Sequence, residues 1–374
     1  MKQKIICAFA ALSLAAAIPA YAVSENELLS GTVDFVLGRG SGNASDLNSD
    51  GIIDCFDVAC ARKLLAASEY NQVYVSDSQG LIDALANARA GDEIILAGGT
   101  YRNDEWIGKW AAFYSEAEGT SDRKIILRSE DPENPALLCG VSQENKMGLY
   151  ITGDHWIIKD IKVAEVQKGI VLDNSNYSVI SGCEVYDTGS EGIHLRDNSS
   201  YCRVEDCYVH DNGTVTPSYG EAIYVGSSKS TTDYGYDCHY NTISGCHLGP
   251  NTAAEHVDIK EYTIGTVVED CYFDGTGISG SNSADSFVDI KGNDVIIRNN
   301  TGYRNENDIV ADAFQLHVLV DGWGQNAQIY GNTVYLDDES CYVANGWNCS
   351  AEVYDNIRYP EGNMYKGNLF TVIE

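Results

Sequence analysis

Two stretches of the 374-residue chain carry the same tetrapeptide, Val-Asp-Ile-Lys, at 257–260 and 288–291, 31 residues apart. In a strand, residues two apart share a face, so Asp258 stands beside Lys260 and Asp289 beside Lys291. A carboxylate next to an amine is equipment for moving protons. Lysine serves as a general base when its surroundings favour the neutral amine.

The tetrapeptide sits in a longer recurring phrase: KGIVLD (168–173), EGIHLR (191–196), EAIYVG (221–226), EHVDIK (255–260), SFVDIK (286–291) and DAFQLH (312–317). The third and fifth places are apolar each time, the alternation of a strand with one buried face. If such strands stack, the remaining residues form columns about 4.8 Å apart. One column is Lys168, Glu191, Glu221, Glu255, Ser286 and Asp312; the middle one is Val171, His194, Tyr224, Asp258, Asp289 and Gln315; the third is Asp173, Arg196, Gly226, Lys260, Lys291 and His317. Carboxylates this crowded repel one another unless a cation lies between them. Glu221, Glu255 and Asp258 are therefore expected to hold a Ca²⁺, whose remaining position a substrate carboxylate would fill. Lys260 is the expected base for a proton alpha to that carboxylate. Lys291, Arg196 or His317 would serve the leaving oxygen, and Glu191, His194, Tyr224 and Asp289 would contact substrate. The chemistry is β-elimination on an acidic, uronate-containing polysaccharide.

Between these phrases runs a second one: ISGCEVYD (180–187), VEDCYVHD (204–211), ISGCHLGP (243–250), VEDCYFDG (268–275), then IRNNTGY (297–303) and IYGNTVY (329–335). Its fourth place is Cys183, Cys207, Cys246, Cys271, Asn300 and Asn332, at intervals of 24 to 39 residues. Repetition at such periods is the mark of a solenoid, and the cysteines read as an inward stack of small side chains rather than disulfides. With 36 Gly, 24 Tyr and only 6 Pro, the expectation is an all-β parallel solenoid over residues 70–374. LIDALANARAGD (81–92) would form a helix capping its open end. Cys341 and Cys349 are a possible disulfide pair.

Residues 46–57, DLNSDGIIDCFD, fit a calcium loop of EF-hand type. Asp46, Asn48, Asp50, Asp54 and Asp57 stand at positions 1, 3, 5, 9 and 12, Gly51 at the turn and Ile52 at the carbonyl position. With flanking helical segments this makes residues 24–68 a small calcium-binding module. It resembles one half of a type I dockerin, which implies a cohesin scaffold as partner. Residues 1–22 read as a secretory signal, with Lys2 and Lys4 before an apolar run and Ala20-Tyr21-Ala22 at its end. The expectation is a secreted, extracellular monomer. A net charge of -31 argues against nucleic acid or an anionic membrane surface as partner.

The layout of phrases, with AGDEIILAGGTY (90–101) and EGTSDRKIILRSEDPENPALLCG (118–140) as opening coils, resembles right-handed parallel β-helix polysaccharide lyases of the chondroitinase B and alginate lyase family. Pectate lyases that use a lysine base are similar too. In the first family a calcium-ligating Glu precedes the base Lys by five residues, a spacing that Glu255 and Lys260 share, and an Arg on the next coil acts as acid where this chain has Lys291. The alternatives are a glycoside hydrolase using Asp258 with Asp289 or Glu221 with Glu255, a C5-epimerase, and a non-catalytic carbohydrate binder using Trp106, Trp110, Trp156, Trp323 and Tyr224.

Overall fold

A computed structural model describes residues 25–37, 46–48, 50–68, 70–104 and 110–373. The signal-like segment and Trp106 lie outside the described residues. The chain divides into two compact units at residues 70 and 71. The first contains helices α1 (Glu25–Val36) and α2 (Cys55–Ser68), the second starting within the last residues of the 46–57 loop.

The second unit is a right-handed parallel β-helix. Among the described residues, one sheet joins 20 strands and another 10, and every pairing within them is parallel. A typical coil runs through Lys168–Asp173, Val179–Ser181 and Glu184–Thr188 before the next coil begins. The strands of the face that carries the charged columns are numbered here β1 (Ala111–Ser115), β2 (Met147–Ile151), β3 (Lys168–Asp173), β4 (Ile193–Arg196), β5 (Ile223–Val225), β6 (Val257–Ile259), β7 (Ser286–Ile290) and β8 (Asp312–Leu316). Ile170, Ile193, Ile223, Val257, Val288 and Phe314 stack directly over one another inside, all fully buried.

The ISGC-type phrase is a corner. Gly182, Asp206, Gly245, Asp270, Asn299 and Gly331 all take left-handed backbone there, with φ from 52° to 66°, which only Gly, Asn and Asp adopt readily. The next residue then points inward. Cys183, Cys207, Cys246 and Cys271 each direct the thiol to a carbonyl one coil back, at 3.6–3.8 Å. Asn300 and Asn332 donate to the equivalent carbonyls, those of Val268 and Ile297, at 3.0 Å. The asparagines also chain together, Asn300 Nδ2 to Asn332 Oδ1 and Asn332 Nδ2 to Asn356 Oδ1, both 2.9 Å. Cysteine and asparagine thus share one task, meeting a buried carbonyl. All the described cysteines are free, Cys341 and Cys349 included, so that pair is not a disulfide.

The capping helix α3 spans Ser78–Asn87, earlier than the pattern suggested. Asp77 fixes its start by accepting from the Gly80 amide at 2.8 Å, and Ala88 ends it with extended backbone. Leu81 and Leu85 seal the core, and Ser115 on β1 donates to the Leu85 carbonyl at 2.7 Å. The 39-residue interval from Cys207 to Cys246 arises from two insertions around β5, at about 213–220 and 226–241, that rise beside the charged face. Asn332→Ala removes a buried side chain that bonds Asn300, Asn356 and the Ile297 carbonyl. It is expected to cost about 1–3 kcal/mol in denaturant unfolding; an unchanged midpoint would show that the asparagine ladder carries no stability.

Candidate active site

Parallel pairing brings the predicted middle column together: His194 lies against Tyr224, Tyr224 against Asp258, Asp258 against Asp289 and Asp289 against Gln315. The backbone ladder continues through the third column. Gly226 N–H bonds the Leu195 carbonyl, Lys260 N–H that of Val225, Lys291 N–H that of Ile259 and His317 N–H that of Ile290, at 2.8–2.9 Å.

Asp258 is the hub. Its Oδ2 accepts from Lys260 Nζ and its Oδ1 from Lys291 Nζ, each at 2.8 Å. Lys291 also pairs with Asp289, and His317 Nε2 lies 3.3 Å from Asp289. Burial works against charge on Lys260, but Asp258 more than offsets it and holds the amine's pKa above its usual range. Lys291 is raised in the same way, by Asp258 and Asp289. Burial alone would lift the Asp258 carboxyl; the two ammonium groups outweigh it and leave the pKa lowered.

The open space on this face is a groove of about 640 Å³ lined by Lys168, Glu191, His194, Arg196, Glu221, Tyr224 and Lys260 and by both insertions. Lys260 Nζ stands 5.0 Å from the centre of the Tyr224 ring. Gly226 makes this approach possible, since a Cβ there would meet Lys260 Cβ at 3.0 Å and Thr263 at 2.8 Å. Burial, then Asp258 and Glu221, push the Tyr224 phenol well above its ordinary pKa, so it keeps its proton. His194 donates from Nε2 to the Gly226 carbonyl at 3.0 Å and faces Lys168 through Nδ1 at 3.4 Å. Burial, with Lys168 and Arg196 nearby, lowers its pKa well below the usual value and keeps it neutral. Lys168 bonds Glu191 at 2.7 Å. Arg196 grips Asp173 through two bonds of 2.8 and 2.7 Å, Tyr150 donates to the same carboxylate at 2.8 Å, and the Tyr234 ring lies 3.7 Å over the guanidinium.

Of the expected proton donors, Arg196 lines the groove, whereas Lys291 and His317 do not: Lys291 is buried between two aspartates, and His317 sits two coils beyond Lys260. Asp289 is likewise engaged by Lys291 rather than presented to the groove. Trp156 is fully buried and provides no sugar platform, and Trp323 packs on Tyr262 at 5.4 Å. The sequence reading missed Tyr150, Tyr234 and the partner role of Lys168. Tyr150 was accessible by extending the column one coil back, where it pairs with Val171; Tyr234 lies in an insertion without periodicity.

Calcium takes about six to eight converging oxygens. Both Asp258 oxygens are already bound by ammonium groups, and among the described residues no three Asp, Glu, His or Cys side chains converge on a metal-sized point. Glu191 and Glu221 each retain one buried oxygen without a hydrogen-bond partner, too few for such a site. Burial, with Glu191 and Asp258 close by, raises the Glu221 pKa well above the carboxylate range; burial, with Asp289 and Asp258, lifts that of Glu255 to about 8. In this structure Glu221, Glu255 and Asp258 form no such cluster, and Lys260 and Lys291 supply the positive charge beside Asp258. In the 46–57 loop, Asp46 accepts from the Gly51 amide at 2.8 Å, Asp50 from that of Ile52 at 2.8 Å, and Asp57 from those of Leu47 and Asp54 at 2.6 and 2.8 Å. Asn48 Nδ2 donates to Asp50 at 3.0 Å. These bonds bend the chain tightly around its own carboxylates.

Residues 67–308 match the family of the Pel9A-like, right-handed β-helix region, and the chain belongs to that family. An alginate lyase from Paenibacillus sp. str. FPU-7 shares 45% identity over 80% of this chain and 99% of its own, with a TM-score of 0.77. The pectate lyase Pel9A (14% identity, 81% and 78% covered, TM-score 0.60) and a rhamnogalacturonan lyase (13%, 76% and 79%, 0.57) share the fold. A search of curated proteins found no match. The chain is a polysaccharide lyase. Because lysines occupy the place foreseen for calcium, treatment with EDTA is expected to leave turnover intact; loss of turnover restored by added Ca²⁺ would refute this reading of the face.

Proposed function

We propose that the chain cleaves an alginate-type uronate polymer by β-elimination in this groove, with Lys260 as general base and Tyr224 as proton donor. The observation that carries the reading is the placement of these two groups on consecutive coils, side by side on the groove floor. The 45% identity to an alginate lyase supports the polymer class. So does the presence of Lys168, Arg196 and Lys260 along one groove of a chain whose net charge is -31, which gives uronate carboxylates cations to meet there.

The Lys260 amine takes the proton alpha to the uronate carboxylate. The electron pair forms a carbon–carbon double bond as the bond to the glycosidic oxygen breaks, and that oxygen receives the Tyr224 proton. The products are a new hydroxyl end and an unsaturated uronate. Transfer of a proton from the Lys260 ammonium to the Tyr224 phenolate then restores both groups. Arg196, oriented by Asp173, and Lys168 hold uronate carboxylates, a task suited to the planar guanidinium fork.

The remaining expectations stand as parts of this proposal: export directed by residues 1–22, a monomeric state, one Ca²⁺ in the 46–57 loop, and docking of that module to a cohesin. Calorimetric titration with CaCl₂ tests the loop; one binding event that Asp46→Ala removes is expected, and absence of heat would refute it.

Lys260→Ala and Tyr224→Phe are each expected to lower kcat by about 10²–10⁴-fold while leaving the circular dichroism spectrum unchanged. Formation of the ultraviolet-absorbing unsaturated product from alginate reports turnover. Full turnover in either variant would remove that residue from the mechanism, and reducing ends without the absorbance would make the enzyme a hydrolase. Only the neutral amine accepts a proton, and Asp258 holds the Lys260 pKa high. The rate at low substrate is therefore expected to rise with pH through the neutral range into the alkaline; a fall over that range would exclude Lys260 as base.

A further inference from the structure

The groove is open at one end and blocked at the other. Gln167, Lys168, Arg196 and Tyr234 line both the space around Lys260 and a second one of about 590 Å³ over Trp110, Met147 and Tyr150. The two are one cleft running from β6 back toward β1. At about 4.8 Å per coil, the five steps from β1 to β6 give it a length of about 24 Å. Trp110, at its far end, is exposed.

Beyond Lys260 the same face is largely covered, with Gln315 and His317 half-buried. No side chain of β7 or β8 lines the cleft. Asp289 and Lys291 are each only 7% exposed and Asp312 only 3%. Asp312 is occupied by Gln315 and Asn345, at 3.2 and 2.8 Å. Lys229 reaches from the 226–241 insertion to the Leu319 carbonyl at 2.6 Å, and Tyr236, Tyr262 and Trp323 pack in sequence along that flank. Charge follows shape. The open arm carries Lys168 and Arg196, paired with Glu191 and Asp173, whereas the blocked end carries Asp285, Asp289 and Asp312, with Lys291 and His317 against Asp289. Asp285 is pushed above its ordinary pKa, first by burial and then by Asp312.

We propose that the cleft takes one end of the uronate chain, with the polymer lying over β1–β5 and its terminus against the acidic coils β7 and β8, so that cleavage at Lys260 releases short products from that end. This inference rests on the lyase reading and adds the mode of attack. A uronate chain running past Lys260 would bring its carboxylates toward Asp285, Asp289 and Asp312, where the ammonium of Lys291 is buried and already held by Asp258 and Asp289.

The test is digestion of polymeric alginate with the full-length enzyme, following ultraviolet absorbance, viscosity and product size together. The expected result is unsaturated mono- and disaccharide from the first time points while viscosity falls slowly for each bond cut. An early collapse of viscosity with a broad ladder of oligomers overturns the inference and leaves the lyase reading standing. Absence of any unsaturated product overturns both. Trp110→Ala is expected to raise KM severalfold, the more so the longer the oligosaccharide; a KM change independent of chain length would show that the open arm holds no substrate.

Discussion

Everything at this site depends on the parallel hydrogen-bond ladder between coils. It fixes the position of each side chain along the solenoid axis at a spacing of about 4.8 Å. Slipping one coil by a single residue would turn its whole apolar set outward, and the fully buried stack from Ile170 to Phe314 forbids that. The same rigidity that stabilises the core therefore delivers Tyr224, Asp258 and Lys260 to adjoining positions without help from loops. Corners built on left-handed Gly, Asp and Asn residues, each followed by an inward Cys or Asn, keep the coils in step.

Stacking like residues has an electrostatic cost, because carboxylates from successive coils face one another in a buried setting. The molecule meets it in two ways. Asp258 is matched by two ammonium groups and stays ionised, whereas Glu221 and Glu255, lacking such partners, are driven toward the neutral acid. On the proposed mechanism this makes Lys260 a poised but reluctant base. Its carboxylate neighbour fixes its direction and also resists its deprotonation. A buried pair of this kind adds little to stability and is better understood as orienting the amine toward Tyr224.

Much of this was legible in the sequence, and the reason is periodicity. The alternation of GIHL, AIYV and HVDI sets strand parity, so the columns holding His194, Tyr224, Asp258, Asp289 and Gln315 follow from the sequence alone and are observed as such. What a column does not reveal is which members pair. Asp258 reads equally well as a metal ligand until its oxygens are seen in contact with Lys260 and Lys291. Nor does a column show which of its residues meet open space, so Lys291 and His317 seemed as available as Arg196. Tyr234 and Tyr219, which line the groove from the insertions, follow no repeat. The capping helix was recognised by its apolar face, but its start was set by the Asp77 cap rather than by that face.

The most direct test of the account is the pH–rate profile of Asp258→Asn beside that of the native enzyme. Asp258 is held here to be the group that keeps Lys260 protonated, while Lys291 retains Asp289 as a partner when Asp258 is neutralised. The account predicts that the alkaline rise of kcat/KM moves to lower pH in the variant. Superimposable profiles would contradict it, because the carboxylate would then have no hold on the proton that the reaction moves.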